Sequence, residues 1–539
     1  MSAEKPASLK DHDAFQPHHR DRCEDRKTTH KDQLLREFGG PGDPIDESQE
    51  KECDDPHGSH SDESSPLVEA KKGTTSPAPP PGKQPCPEDP ALRGHRRRAV
   101  WALSRHSYII MRNARDGIRF SRRPRGAARL LSPCERPVRR DCLRFGGCNV
   151  KPAQGPGFET QCIHFAEDRE ANFGAAAPPL YQCSTFTYPD CEQFVGRAPG
   201  NGRYDYTRVG NPTTALLEKK LAELEGGEAA RAFGSGMAAI SAAVLSCVRA
   251  GEHVITIDTV YGPTRRLLSE YLPRFHIETT YVRGTEASDF ERAIRPNTKL
   301  IYLESPSSLL FELQDLAAVA ALARSRGIST VCDNSNATPL YQNPLALGVD
   351  LVMHTASKYI GGHSDIVAGL LVGSRQRIAA LSTMEGELLG GIADPFSSWL
   401  MLRGLRTLAI RLERHERSAT QLARLLESDM RVARVWYSGL ETHPQVRLAK
   451  RQMRGHGCLL SFELRKPGRE AAFACVNALR YFGIAVSWGG YESLAIPVEV
   501  PDPADGRRKW IVRLSVGLES VEDLKADLYQ ALTVACGAQ

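Results

Sequence analysis

V-M-H-T-A-S-K-Y-I-G-G-H-S-D, residues Val352 to Asp365, sets one lysine, Lys358, at the end of an apolar run and directly before a glycine turn. Two hydroxyls, Thr355 and Ser357, stand just upstream. A lysine that follows a buried strand is partly desolvated, and desolvation disfavours the ammonium. The neutral amine is the form that attacks a carbonyl to make a Schiff base. Small hydroxyls beside it suit a phosphate. The competing reading is a solvated surface lysine, and the apolar lead-in and the G-G turn speak against that.

Upstream, V-C-D-N-S-N-A-T-P places Asp333 at the close of the apolar run Ile328 to Cys332. A strand-end carboxylate followed by a strand-end lysine is the pair that pyridoxal 5'-phosphate requires. The lysine takes the aldehyde carbon, and the carboxylate holds a proton on the pyridine nitrogen, which makes the ring an electron sink. Asp333 taken alone also reads as a helix cap or an Asx turn. The phosphate is expected at a helix N-terminus. F-G-S-G-M-A-A-I-S-A-A-V-L supplies one, with the backbone amides of Gly236 and Met237 directed at the anion.

The same segment imitates a dinucleotide fingerprint. Gly234, Gly236 and Ala239 read G-x-G-x-x-A, and Asp258 ends a strand 22 residues after Gly236. An NAD-dependent Rossmann dehydrogenase is therefore the rival class. It predicts a firm strand before Gly234, where G-G-E-A-A-R-A-F is short and poorly β-forming. It also leaves Lys358 and Asp333 without a role.

R-Y-D-Y-T-R-V-G-N-P-T, F-G-S-G-M, V-Y-G-P-T, L-E-S-P, C-D-N, H-T-A-S-K-Y-I-G-G-H-S-D and V-R-L-S-V-G-L-E follow one another in an order that resembles the Cys/Met-metabolism pyridoxal-phosphate enzymes, the family of the cystathionine lyases and synthases. The resemblance runs from about Gly157 to Ala535. It implies a fold-type-I, aspartate-aminotransferase-like α/β architecture. L-E-S-P-S-S, R-G-L-R-T-L-A-I-R-L and S-W-G-G-Y-E-S-L are similar to bacterial cystathionine β-lyases. In γ-type members an acidic residue commonly precedes the serine that matches Ser487, whereas Val486 stands here and Trp488 follows. Two stretches depart from this pattern. Y-T-R-V-G-N-P-T, Tyr206 to Thr213, reads more like the γ-type members, and Pro497 to Pro501 fits no tail pattern.

The resemblance implies a role for each candidate residue. Lys358 binds the cofactor and moves the α-proton, while Asp333 holds the ring nitrogen. Tyr261 stacks on the ring and assists proton transfer. Thr355, Ser357, Gly236 and Met237 form the phosphate cup, and Tyr206 and Arg208 reach the phosphate of a neighbouring subunit. Arg513 clamps the substrate α-carboxylate, since a guanidinium pairs with it bidentately. Ser487 and Trp488 contact the substrate, with Ser493 a further candidate. The expected partners are a small sulfur amino acid and copies of the same chain, forming a tetramer built from dimers that share active sites.

Composition separates an extension from a catalytic part. Residues 1–92 carry 12 basic and 20 acidic side chains with few aromatics, a composition expected to be disordered. Residues 93–150 carry 16 arginines, no lysine and 3 acids. That stretch reads as a mis-assigned start, as plain disorder, or as a tether to an acidic surface. Ala99 to Ile118 reads as partly helical. The remaining residues hold 42 basic and 42 acidic side chains, so the formal charge of +5 arises in the extension. A neutral catalytic part gives no nucleic-acid footprint. No 18-residue apolar span suggests a membrane helix. The 14 cysteines are scattered without C-x-x-C or zinc spacing. With no signal peptide in view, a reducing cytoplasm is expected.

From Thr213 onward helix and strand alternate. T-T-A-L-L-E-K-K-L-A-E-L-E-G-G reads as an amphipathic helix with a glycine stop. H-V-I-T-I, I-E-T-T-Y-V, K-L-I-Y-L, G-I-S-T-V and D-L-V-M-H are short apolar strands, which predicts a mainly parallel sheet covered on both faces. The expected layout is an extension over 1–150, an N-terminal arm over 151–212, a cofactor-binding large domain over 213–396 and a smaller α+β domain over 397–539. In the last, a long helical run spans Ser397 to Ser428 and a final helix spans Val521 to Ala535.

Overall fold

A computed structural model describes residues 155–197, 202–501 and 506–537. The extension, including the expected helix from Ala99 to Ile118, lies outside them. The five predicted strands form as β2 (His253–Ile257), β3 (Glu278–Val282), β4 (Thr298–Glu304), β5 (Ser329–Asp333) and β6 (Leu351–His354). They join β1 (Ala229–Phe233) and β7 (Gly369–Gly373) in a seven-stranded sheet of order β1-β7-β6-β5-β4-β2-β3. The pairs among β2 to β6 are parallel, and β7 runs antiparallel to both β1 and β6. Every residue of β2, β6 and β7 is buried. Helices therefore cover both faces, as continuous apolar strands require.

Local chemistry sets the element ends. The Pro212–Glu225 helix starts where the Asn211 side chain accepts the Thr213 N–H and Pro212 takes the first turn, and it stops at Gly226, whose φ is +75°. The Gly236–Cys247 helix is capped by Ser235, which accepts the Ala238 N–H at 3.0 Å.

Two expectations need correction. A strand does stand before Gly234: β1 pairs over five residues with β7. Its weak intrinsic propensity is overridden by that ladder and by Glu218, which accepts the Ala232 N–H at 2.9 Å. As an antiparallel edge strand separated from β2 by four others, it still cannot open a Rossmann unit. The run read as one helix from Ser397 is two, Pro395–Leu405 and Leu408–Ser428. The break is satisfied by side chains: Gly404 O accepts from Arg411 Nη2 at 2.8 Å and from Thr407 Oγ1 at 3.3 Å.

The second sheet has the order β10-β11-β12-β9-β8, built from β8 (Val432–Trp436), β9 (Leu459–Leu464), β10 (Gly483–Ile484), β11 (Leu494–Pro501) and β12 (Arg508–Ser515). The Val521–Cys536 helix closes this smaller domain. Among the described residues no helix is long and apolar enough to cross a membrane.

Candidate active site

Parallel strands end together at one edge of the sheet, and ligands bind at that edge in open α/β sheets. Asp333 is the last residue of β5 and is buried, with Oδ1 accepting the Ser335 N–H at 2.9 Å. Burial pushes its carboxyl up. The Ser335 hydrogen bonds oppose that shift, followed by the charges of His354 and Lys358.

After β6 the chain turns tightly. The N–H of Lys358 bonds Thr355 O, that of Gly361 bonds Ala356 O, and that of Gly362 bonds Lys358 O. The turn aims Lys358 Nζ at Ser487 Oγ, 2.9 Å away, and Nζ lies 5.3 Å from the Trp488 ring centroid. Burial, then the neighbouring Arg513 charge, lower the amine to about 8. At neutral pH this leaves a useful fraction of free amine, which an exposed lysine would lack.

Arg513 projects from the middle of β12 and is only 9% exposed. Its Nη2 donates to Val486 O at 3.0 Å and Ser487 O at 3.1 Å. Its Nε is buried without a hydrogen-bond partner. Burial lowers the guanidinium to about 10. A buried cation bonded to carbonyls, with a donor to spare, is suited to a carboxylate.

At the far end of the site, Gly236 opens its helix against Thr355. A Cβ at Gly236 would lie 2.5 Å from Thr355 Oγ1, so the absence of a side chain lets the threonine hydroxyl pack directly on the helix start, beside the free backbone amides that suit an anion. Met237 follows in the same first turn, where backbone N–H groups lack helical partners. Ser357 is near, yet its hydroxyl both accepts the Ala368 N–H at 2.9 Å and donates to Ala368 O at 3.3 Å. Of the two hydroxyls, Thr355 is the one that touches the helix start.

Tyr261 ends the loop after β2 and is 42% exposed. It lies within electrostatic range of Arg513. Lys358, Ser487, Trp488 and Arg513 therefore converge, with Tyr261 near enough for its charge to be felt at Arg513. Among the described residues, no hydrogen bond joins Tyr206 or Arg208 to them. Arg208 Nη1 instead donates to Glu387 O at 3.0 Å, and Tyr206 is 45% exposed. Ser493 also stands apart, donating to Glu519 Oε2 at 2.9 Å and accepting the Gly517 N–H at 2.8 Å, so its hydroxyl is spent on the fold.

Sequence reasoning missed the support behind Asp333. His354 Nε2 pairs with Glu225 Oε2 at 2.7 Å, and Asn334 Nδ2 reaches the same carboxylate. All three are buried. The only sequence signal was a histidine inside the quoted lysine segment. Its partner lies 129 residues away, at the end of a helix read as ordinary.

The Cys/Met-metabolism pyridoxal-phosphate-dependent enzyme family matches residues 159–533. Cystathionine gamma-lyase of Bacillus subtilis is 39% identical over 69% of this chain and 98% of its own length. L-methionine gamma-lyase of Fusobacterium nucleatum is 41% identical over 70% and 98%. Cystathionine beta-lyase of Lactococcus lactis is 39% identical over 69% and 98%. The crystal structure of metB from Corynebacterium glutamicum superposes with a TM-score of 0.65 at 36% identity, covering 70% of this chain and 98% of that one. The buried carboxyl, the depressed lysine and the helix start at Gly236 fit pyridoxal phosphate, and the sheet order fits fold type I. This chain therefore belongs to the pyridoxal-phosphate-dependent enzymes of Cys/Met metabolism.

Proposed function

We propose that this enzyme cleaves cystathionine by β-elimination, releasing homocysteine, pyruvate and ammonia. The observation that carries the reading is the seam Val486–Ser487–Trp488 beside the lysine. Lys358 Nζ bonds Ser487 Oγ at 2.9 Å, Arg513 holds the carbonyls of Val486 and Ser487, and an apolar valine fills the place where γ-type members commonly carry an acid.

Bound pyridoxal phosphate supplies an electron sink for the α-carbon. Asp333 would hold a proton at the ring nitrogen, and Gly236, Met237 and Thr355 would receive the phosphate, with Ser357 fixing the turn behind Thr355 through its bonds to Ala368. Arg513 takes the substrate α-carboxylate on its free donor. That fixes the α-carbon near Lys358, whose neutral amine removes the α-proton. The electrons of that C–H bond form the Cα–Cβ double bond, and the Cβ–S bond breaks with its pair leaving on sulfur. Lys358 returns its proton to the thiolate to give homocysteine, and water hydrolyses the released aminoacrylate to pyruvate and ammonia. Tyr261 would cover the ring and assist proton transfer, while Trp488 would wall the substrate side. γ-Elimination needs a second deprotonation at Cβ, and Val486 offers no group for it.

Tyr206 and Arg208, exposed and separate from the lysine cluster, are suited to act on the phosphate of a second copy in a dimer-based tetramer. The eight described cysteines are free thiols, in keeping with a cytoplasmic enzyme. γ-Elimination is the second reading, favoured by relatives named as gamma-lyases at 39–41% identity. Product analysis with cystathionine decides between the two: pyruvate with homocysteine for β-cleavage, 2-oxobutyrate with cysteine for γ-cleavage.

A further inference from the structure

Glu304 closes β4 within L-E-S-P and has no part in the site described above. It lies opposite Asp333 in the β4–β5 register, and each residue is 7% exposed. Neighbouring strands are about 4.8 Å apart and opposed residues share a face, so two buried carboxyls stand side by side. Glu304 Oε2 accepts the backbone N–H of Tyr261 at 2.7 Å, and Oε1 lies 2.5 Å from Ser308 Oγ. The first contact ties down the loop that presents Tyr261 and sets the direction in which its side chain leaves the backbone.

Two buried carboxylates this close cannot both ionise cheaply, so one carries a proton. The charges of Lys358 and His354 act on Asp333, which also accepts the Ser335 N–H. The hydrogen-bond partners of Glu304 are the neutral Tyr261 amide and Ser308. Two further titratable groups feel its charge, Tyr302 on its own strand and Cys332 on β5, both uncharged at neutral pH because burial pushes each well up. The proton therefore belongs on Glu304. Burial and then Asp333 raise its carboxyl to about 8.

We propose that Glu304 is a positioning residue of this active site, tethering Tyr261 through its backbone amide and carrying the proton that lets Asp333 stay ionised. The inference rests on the placement of Tyr261 and Asp333 proposed above, and is independent of which C–S bond breaks.

Glu304→Gln and Glu304→Leu separate the two duties in the full-length holoenzyme. Gln keeps an oxygen for the Tyr261 N–H and does not titrate, while Leu keeps neither property. Glu304→Leu should lower kcat/KM by at least about tenfold and loosen the cofactor, as loss of a buried acceptor predicts. Glu304→Gln should recover most of that loss. Infrared difference spectra of wild-type protein should show a protonated carboxylic acid at neutral pH that fades with a midpoint of about 8, and Glu304→Gln should lack this band. The infrared readout is independent of whether the Leu variant folds, which near-UV circular dichroism checks.

Wild-type kcat/KM in Glu304→Leu, or equal damage in both variants, would overturn the tether. An unchanged carboxylic-acid band in Glu304→Gln would overturn the proton assignment. Tyr261→Ala separates the levels: full cofactor affinity and turnover there would sink the placement of Tyr261 itself, and the tether with it.

Discussion

Gly236→Ala is the sharpest test of where the cofactor phosphate sits. The new Cβ would lie 2.5 Å from Thr355 Oγ1 and 2.9 Å from Thr355 Cγ2, both closer than real contacts allow. Thr355 has little freedom to retreat, because its N–H is held by Ser335 Oγ at 2.6 Å. Alanine gains up to about 1 kcal/mol of helix propensity over glycine, while a forced contact in packed surroundings costs about 1–3 kcal/mol. Folding should therefore change by no more than about 2 kcal/mol. The site should change far more. Losing one charge-assisted hydrogen bond to the phosphate removes about 1.5–3 kcal/mol, which raises the cofactor Kd about 10- to 150-fold. Titration of the apoprotein with pyridoxal phosphate measures the affinity, and a thermal melt of the same sample measures the fold. A variant that binds the cofactor within twofold of wild type would refute the reasoning and move the phosphate away from this helix.

Borohydride reduction of the holoenzyme should fix the cofactor to the peptide containing Lys358, and Lys358→Ala should lose turnover; a label on any other lysine would remove the assignment. The Lys358 amine, lowered from 10.5 to about 8, should react with amine reagents in the apoprotein along a curve with its midpoint near 8. Between that pH and 10.5 the unfolded chain binds more protons than the fold, so this group's contribution to stability rises with pH across that window and its burial penalty is fully felt below it. A midpoint near 10 would show an exposed lysine. If Arg208 serves a neighbouring subunit, Arg208→Ala chains mixed with Lys358→Ala chains should regain activity through one intact hybrid site, and verified mixed dimers without rescue would exclude sharing. With cystathionine, kcat/KM for β-elimination should exceed that for γ-elimination by at least about tenfold, roughly 1.4 kcal/mol at the transition state. Val486→Glu should narrow that gap, and wild-type protein yielding mainly 2-oxobutyrate would reverse the assignment.

The groups legible in the sequence are those whose chemistry is local. Lys358 announced itself through an apolar lead-in and a glycine turn, Asp333 through its place at a strand end, and Gly236 through the helix it opens. Each signal spans fewer than about ten residues, because a strand end, a turn and a helix start are built from neighbours in the chain. The same locality explains why the parallel strands and their helices could be read, and why the Rossmann imitation at Gly234 could be weighed but not dismissed. What dismissed it was sheet order: β1 lies at an edge, antiparallel to β7 and remote from β2.

Tertiary structure alone decided which distant groups meet. Ser487 lies 129 residues from Lys358, and nothing local to either says that they bond. Glu304 and Asp333 become neighbours through the register of β4 on β5, and Glu225 supports His354 only because a helix end is packed beneath β6. Such pairings follow from the joint packing of many apolar side chains, each contributing little and none carrying a motif. Local sequence determined which residues could do chemistry here, and packing determined which of them act together.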